Sequence, residues 1–223
     1  MKILLIETAT AVCSVALAVD GQVVATRESD APNAHSSRLP LFVKDLLPQD
    51  LDAVCVSAGP GSYTGLRIGV STAKGLCYAL GIPLLSVPTL LGMATLYYRL
   101  HPDYQGPVCP MIDARRMECY TMVVGPEGIL RNTQAEVIEP SSYDLWLDRG
   151  EVMFIGDGSD KTRPLLGNHP NARFGPSFRI AAEGMLPIAL DKLANGTVED
   201  VAYFEPFYLK DFVAKKSVVH GLR

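Results

Sequence analysis

The sequence has few of the residues that build metal centres or disulfide frameworks. It contains four histidines and five cysteines among 223 residues, with no CxxC pair and no HxxxH or HExxH pattern. The cysteines are odd in number and stand in apolar segments, so we predict that they are reduced core residues. We therefore expect neither a disulfide scaffold nor a bound metal.

Long apolar runs and an excess of basic residues are also absent. No stretch approaches the length of a membrane span, and the N-terminal apolar run at residues 3–6 is too short for a signal peptide. The chain has 20 Lys and Arg residues and 24 Asp and Glu residues, which gives a formal net charge of −4. The composition predicts a cytoplasmic protein that binds no membrane and whose overall charge does not attract a polyanion.

What the chain does have is a hydrophobic content of 48%, which suffices for a core in one or two domains. In residues 1–103 the predicted elements follow the order βββαβαβα, typical of a ribonuclease-H-like lobe. Asp20-Gly21, between the second and third strands, is a strong hairpin signal. Strands are predicted at 3–7, 13–19, 23–28, 53–56 and 83–87, and helices at 35–47, from 62 onward and from 89 to about 101.

Residues 104–223 are predicted to form a smaller, more divergent second lobe. Strands are predicted at 108–112, 118–124 and 151–155, and a helix at 179–194. Pro187 interrupts this helix and Gly196 ends it. No repeat of fixed period is visible, although two sequential lobes would fit a duplicated ancestral fold.

The most informative segment is residues 57–80, SAGPGSYTGLRIGVSTAKGLCYAL, in which a strand runs through a glycine-rich loop into a helix. Gly59 and Gly61 allow close backbone approach, and Ser62 can cap the helix. The segment is not a P-loop, because no Gly-Lys-Ser/Thr follows and Lys74 lies almost three turns into the helix. A cradle for an anionic ligand and a tight turn packed against another segment both fit this pattern.

Several segments, in order, resemble the TsaB (YeaZ) family: ILLIETATAVCSVAL, NAHSSRLPLFVKDLL, the glycine-rich segment, PLLSVPTLLGMA, MIDARRMECYTMVV and EPFYLKDFVAKK. The resemblance implies an actin-like ATPase superfamily fold, with two lobes of mixed sheets flanked by helices. It also implies a non-catalytic subunit that supports a catalytic TsaD-like partner in modifying the adenosine next to the tRNA anticodon. A TsaE-like ATPase joins them, and ATP is used through these partners rather than held tightly here.

Catalytic parts known from the same superfamily do not match this chain. Thr89 and Met93 stand where the catalytic sister family has two metal-binding histidines, and a hydroxyl and a thioether are poor substitutes. Glu7-Thr8-Ala9 stands where nucleotide-using members have Asp-x-Gly. A stand-alone ATP- or metal-dependent transferase is the alternative, and a peptidase is a weaker one, since no Gly-x-Ser-x-Gly elbow is present.

Two helices of the first lobe are predicted to form the partner surface. Gly65, Gly69 and Ala73 recur every fourth residue, which suggests a track for close helix packing. The apolar positions of the preceding helix exceed what one sheet-facing stripe requires, although both helices could simply cover the sheet. The predicted interface residues, also available for a homodimer when the partner is missing, are His35, Arg38, Leu39, Phe42, Leu46, Tyr63, Gly65, Leu66, Gly69 and Ala73.

Two further groups of residues complete the candidate sites. Contacts to a nucleotide or to the interlobe cleft are predicted at Glu7, Thr8, Gly59, Gly61, Ser62 and Asp113. Glu7 and Asp113 could face the cleft as paired carboxylates, or could merely cap loops and pair with arginine. Lys210, Lys215 and Lys216 could touch tRNA phosphates, with a solvated tail as the alternative.

Overall fold

A five-stranded mixed sheet forms the centre of the first lobe in the computed structural model, which describes residues 1–175 and 178–210. The strand order is β3-β2-β1-β4-β5, with the first three strands antiparallel and β4 and β5 parallel to β1. Asp20 and Gly21 both have positive φ, as the predicted hairpin turn requires. The strands are β1 (Lys2–Glu7), β2 (Cys13–Val19), β3 (Gln22–Ser29), β4 (Ala53–Ser57) and β5 (Leu84–Val87).

A second five-stranded sheet repeats this topology. Its order β8-β7-β6-β9-β10 again places three antiparallel strands beside two parallel ones. The strands are β6 (Val108–Asp113), β7 (Glu118–Gly125), β8 (Gly128–Val137), β9 (Val152–Ile155) and β10 (Ala172–Phe174). The two sheets confirm the predicted two-lobed, ribonuclease-H-like fold and reveal the duplication that no sequence period disclosed.

Helices cover both faces of both sheets. The α-helices are α1 (Ala34–Ser37), α2 (Leu39–Leu46), α3 (Tyr63–Leu80), α4 (Thr89–Leu100), α5 (Asp144–Leu147), α6 (Ser159–Leu166) and α7 (Leu186–Ala194). On the first sheet, α2 and α3 pack on one face, while α7 and the 3₁₀ turn Ala182–Met185 pack on the other. On the second sheet, α4 packs on one face and α5 and α6 on the other.

The lobes therefore exchange helices, which corrects the division at residue 103. Helix α4 precedes that boundary but packs on the second sheet, where Leu90 and Met93 join its core. Helix α7 follows the boundary but packs on the first sheet, where Leu186 meets Ile3 and Leu5 in one cluster. The two exchanged segments meet directly, because Gly92 of α4 lies against Gly184 of the 3₁₀ turn.

Other differences from the predicted elements have local causes. The helix predicted at 35–47 breaks at Arg38, and Pro40 lies in the first turn of α2, where a missing N–H costs nothing. Pro187 similarly starts α7 instead of interrupting a longer helix. All five cysteines are buried and free, as predicted. Among the described residues, no helix is both long and apolar enough to span a membrane.

Candidate functional site

The glycine-rich loop, residues 59–62, joins β4 to α3 as the sequence predicts. Ser62 caps the helix, since its Oγ accepts a hydrogen bond from Gly65 N at 3.3 Å. Gly59 has a φ of 101°, which favours glycine. The second lobe has a matching loop between β9 and α6, Gly156-Asp157-Gly158-Ser159, and Gly156 there has a φ of 93°.

The chain itself occupies the space in front of the glycine-rich loop. Ser62 N donates to Ala9 O at 2.6 Å, and a Cβ on Gly61 would overlap that same carbonyl oxygen. Phe207 N donates to Ala58 O at 2.7 Å, and a Cβ on Gly59 would lie 2.6 Å from Phe207 O. Close backbone approach thus serves packing within the chain, which favours the tight turn over the ligand cradle.

The small-residue track on α3 is buried under the connection between β1 and β2. A Cβ on Gly65 would overlap Thr8 O, and one on Gly69 would overlap Thr8 Oγ1. Ala73 is fully buried in the core of the first sheet. The prediction that this track receives a helix of a partner is wrong, because residues of the same chain already fill it.

The apolar residues predicted for the partner surface are also largely internal. Leu39, Leu46 and Leu66 are buried, and Phe42 is half-buried against the core that contains Leu39 and Leu46. Leu39, Leu46 and Leu66 are therefore corrected to buried positions, whereas Phe42 also lines a surface depression beside Arg38 and Leu41 and stays a predicted interface residue. His35 is half-buried, with Nε2 3.3 Å from Val12 O.

The outer faces of α2 and α3 carry other exposed side chains. Arg38 and Arg67 are exposed, and two large side chains stand in solvent, Leu41 at 55% and Tyr78 at 85% exposure. Both helices pack on the same face of the first sheet, so their outer sides form one layer. Arg38 was among the predicted interface residues and is exposed, whereas Leu41, Arg67 and Tyr78 were not predicted.

A buried polar cluster lies below the glycine-rich loop. Glu7 is 1% exposed, and its Oε1 accepts a hydrogen bond from Ala9 N at 2.6 Å. Burial raises the pKa of Glu7 to about 7, despite hydrogen bonds that favour the charged form. Thr89 Oγ1 lies 2.6 Å from Ser57 Oγ and accepts from Gly59 N at 3.0 Å. The Thr89 hydroxyl therefore ties α4 to the glycine-rich loop.

The predicted pair of cleft carboxylates is not formed. Asp113 is exposed, pairs with Lys161, and accepts a hydrogen bond from Arg115 N at 2.8 Å. Partial burial opposes ionisation, but these hydrogen bonds prevail and hold the pKa of Asp113 below its usual value. Glu7 and Asp113 thus have separate partners, and each favours a structural role over general acid–base catalysis.

A C-terminal strap, residues 199–210, links the two lobes, and the sequence analysis had not anticipated it. It begins beside β5 at the bridge between Leu84 and Glu199. Along α3, Lys74 Nζ donates to Ala202 O at 3.1 Å, and the rings of Tyr63 and Tyr208 lie 4.9 Å apart. Lys210 then forms an ion pair with Glu118 of β7. The Lys210 ammonium is therefore engaged within the chain, while Lys215 and Lys216 lie outside the described residues.

With this geometry established, comparison with known proteins identifies the family. A family model described as TsaD, tRNA N6-adenosine threonylcarbamoyltransferase, matches residues 27–143. The tRNA threonylcarbamoyladenosine biosynthesis protein TsaB of Escherichia coli strain K12 is 36% identical to this chain, with 98% of each covered. The chain belongs to the TsaB family.

Solved structures agree with membership of the TsaB family. YeaZ from Pseudomonas aeruginosa matches with a TM-score of 0.79 and 28% identity, covering 93% of this chain and 99% of that one. Component A of the Acidaminococcus fermentans (R)-2-hydroxyglutaryl-CoA dehydratase matches with a TM-score of 0.52 at 12% identity, over 87% of this chain and 99% of that one. The second likeness extends to the fold alone.

Proposed function

We propose that this TsaB-family chain is a non-catalytic subunit of the bacterial tRNA threonylcarbamoyl transferase complex. It binds and supports a TsaD-like catalytic subunit, which modifies the adenosine next to the tRNA anticodon. One observation carries the non-catalytic assignment: the backbones of Ala9 and Phe207 fill the space at the glycine-rich loop that a bound phosphate would need. The loop serves as an internal brace.

The residues around the loop support the same assignment. Thr89 and Met93 are buried, with Thr89 hydrogen-bonded within the chain and Met93 packed in the core of the second sheet. The Glu7 carboxyl is buried and accepts a hydrogen bond from Ala9 N, so its oxygens are turned away from solvent. Reaching a substrate with any of these groups would require the chain to open first.

The proposed partner surface is the outer layer of α2 and α3. Leu41 and Tyr78 bury apolar and aromatic area when a partner covers them, and tyrosine is among the residues enriched at binding hot spots. Arg38 and Arg67 supply charge at the edge of the layer. The same layer would hold a second copy of this chain when the TsaD-like subunit is missing.

The remaining parts of the proposal concern cofactors and location. The complex uses ATP through its TsaD-like and TsaE-like subunits, and this chain holds no nucleotide tightly. tRNA reaches the chain as part of the complex, and the proposal places all of these components in the cytoplasm.

The test is co-purification with the TsaD-like subunit of the same organism, followed by an assay for modified adenosine. Leu41→Asp with Tyr78→Asp should weaken partner binding at least about tenfold and reduce the modification in parallel, because each change would bury an unpaired carboxylate at the interface. Leu130→Asp with Leu145→Asp is the matched control, because these leucines are 54% and 57% exposed in the second lobe. Equal binding by both double variants would move the interface elsewhere.

Separate results would contradict the proposed function as a whole. Wild-type chain that neither binds the TsaD-like subunit nor increases the yield of modified adenosine would contradict the partner role. Modification catalysed by the isolated chain would instead favour the stand-alone transferase.

A further inference from the structure

The turn between β6 and β7 has an unusual pair of residues. Arg115 and Arg116 have φ values of 75° and 52°, in the left-handed region that side chains other than Gly, Asn and Asp disfavour. The turn is closed by hydrogen bonds from Ala114 N to Glu118 O at 3.0 Å and from Glu118 N to Arg115 O at 3.1 Å. The Asp20-Gly21 turn of the first lobe also has two successive positive φ values, but with residues suited to them. The arginine pair is therefore retained at a cost in backbone strain.

The guanidinium groups of this turn have no hydrogen-bonding partner among the described residues, although the charge of Arg115 helps to lower the pKa of Asp113. Both arginines are exposed, and within residues 1–175 and 178–210 neither guanidinium makes a hydrogen bond, an ion pair or a ring contact. The nearby carboxylates already have partners. Lys161 pairs with Asp113, and Lys210 pairs with Glu118.

The third carboxylate near the turn is also occupied. Asp157 Oδ1 accepts a hydrogen bond from Asp113 N at 3.0 Å. Lys161 and Lys210 lie near the two arginines of the turn, on a chain whose overall formal charge is −4. Both lysines are paired with carboxylates, so Arg115 and Arg116 are the exposed cations of this turn without an ion pair in the part of the chain that the structure describes.

We propose that Arg115 and Arg116 contact backbone phosphates of the tRNA bound by the complex. A guanidinium offers a planar fork of donors that matches phosphate oxygens, and arginine keeps its charge at all physiological pH values. Successive phosphates of a nucleic-acid backbone can also contact both adjacent arginines at the same time. This inference rests on the proposed function, since tRNA reaches this chain through the complex.

The main test replaces the pair with residues suited to the turn. Arg115→Asn with Arg116→Gly removes both charges and relieves the strain, so the chain should be at least as stable as wild type. In the assembled complex its tRNA affinity should fall about 5- to 30-fold at low salt, as expected from two surface charge contacts. The slope of log affinity against log salt should become shallower by about 1.4–1.8, the loss of two phosphate contacts.

Two further variants separate local from general effects. Arg115→Lys with Arg116→Lys keeps the charges and should retain most of the salt slope. Arg149→Asn with Arg179→Asn removes the same charge from other exposed positions and should change affinity less than twofold.

Each outcome has a definite meaning. An Asn-Gly variant that binds tRNA with unchanged affinity and slope in an intact, active complex would overturn the inference while leaving the proposed function in place. Loss of the TsaD-like or TsaE-like subunit from that variant, with an unchanged tRNA slope, would overturn it in favour of a protein contact. Failure of the wild-type complex to assemble would instead count against the proposed function.

Discussion

The two lobes share one strand order but use the same position in opposite ways. In the first lobe, the loop that follows β1 is buried under α3, where Gly65 lies against Thr8 O. In the second lobe, the corresponding loop after β6 is exposed and carries Arg115 and Arg116. The helices that follow the matching glycine loops differ in length, with 18 residues in α3 and 8 in α6. The contacts to the first loop come from Gly65 and Gly69 in the first two turns of α3, whereas the loop after β6 keeps its two arginines exposed.

The carboxylates at the ends of β1 and β6 extend this comparison. Glu7 is buried, and desolvation raises its pKa to about 7. Asp113 is exposed, and hydrogen bonds from Lys161 and from the Arg115 backbone outweigh its partial burial and lower its pKa. Equivalent positions in a duplicated fold therefore have opposite protonation behaviour, because the surroundings and not the topology set the pKa.

The largest expected effect breaks the buried hairpin contact of the first lobe. Gly69→Leu should destabilise the chain by about 3 kcal/mol or more, because the new side chain would overlap Thr8 Oγ1. Urea unfolding at neutral pH measures the change. Gly75→Leu is the control on the same helix, since no atom lies within 4 Å of its Cβ position, and it should be neutral or stabilising by up to about 1 kcal/mol. Equal stability of the two variants would show that the track is not packed as described.

A smaller effect sharpens the contrast between the two carboxylates. The folded pKa of Glu7, about 7, lies above the ordinary value of 4.5, so its contribution to stability is present below pH 4.5 and is lost as pH rises to 7. The free energy of unfolding of wild type, measured relative to that of Glu7→Gln, should fall by about 3 kcal/mol between pH 4.5 and 8. Urea titrations of both proteins at the two pH values test this, and parallel pH profiles would contradict the assignment. Glu7→Gln should also leave complex assembly intact.

The smallest expected effect has the opposite sign. The folded pKa of Asp113 lies below its ordinary value of 3.8, so its stabilising contribution is present above that value and is lost as pH falls through the lowered pKa. The stability advantage of wild type over Asp113→Asn should therefore shrink between pH 6 and pH 3. The total change over this pH range should be smaller than the Glu7 change between pH 4.5 and 8, because solvent screens an exposed ion pair. An advantage that grows on acidification would rule out this explanation.

The first lobe was largely predictable because its signals are local. Apolar alternation marked its strands, Asp20-Gly21 marked the hairpin, and Ser62 marked the start of α3. The second lobe was predicted less completely because β8 is a polar edge strand with little buried surface, and α5 and α6 are short. The exchange of α4 and α7 between the sheets could not be predicted from hydrophobic periodicity. Periodicity shows which face of a helix is apolar but not which sheet that face packs against.

For the candidate site, too, the sequence pattern identified the residues but not what they contact. Spacing correctly found the small residues of α3, but a stripe of glycine is equally suited to a partner helix and to a loop of the same chain. The occupant, Thr8, lies 61 positions away from Gly69 in the sequence, so only the tertiary structure could decide. The left-handed turn at Arg115 was missed because arginine is not a residue from which positive φ is expected.

The exchange of helices also fixes the order in which the molecule can be completed during synthesis. The first sheet is made early, but the residues that cover its second face, including Leu186 and Ala189, leave the ribosome only after the whole second sheet. Until then Ile3 and Leu5 have one apolar side open to solvent, a state that invites aggregation. The oldest part of the nascent chain is thus the last to be finished, and a protein cut short before residue 182 lacks the layer that closes it.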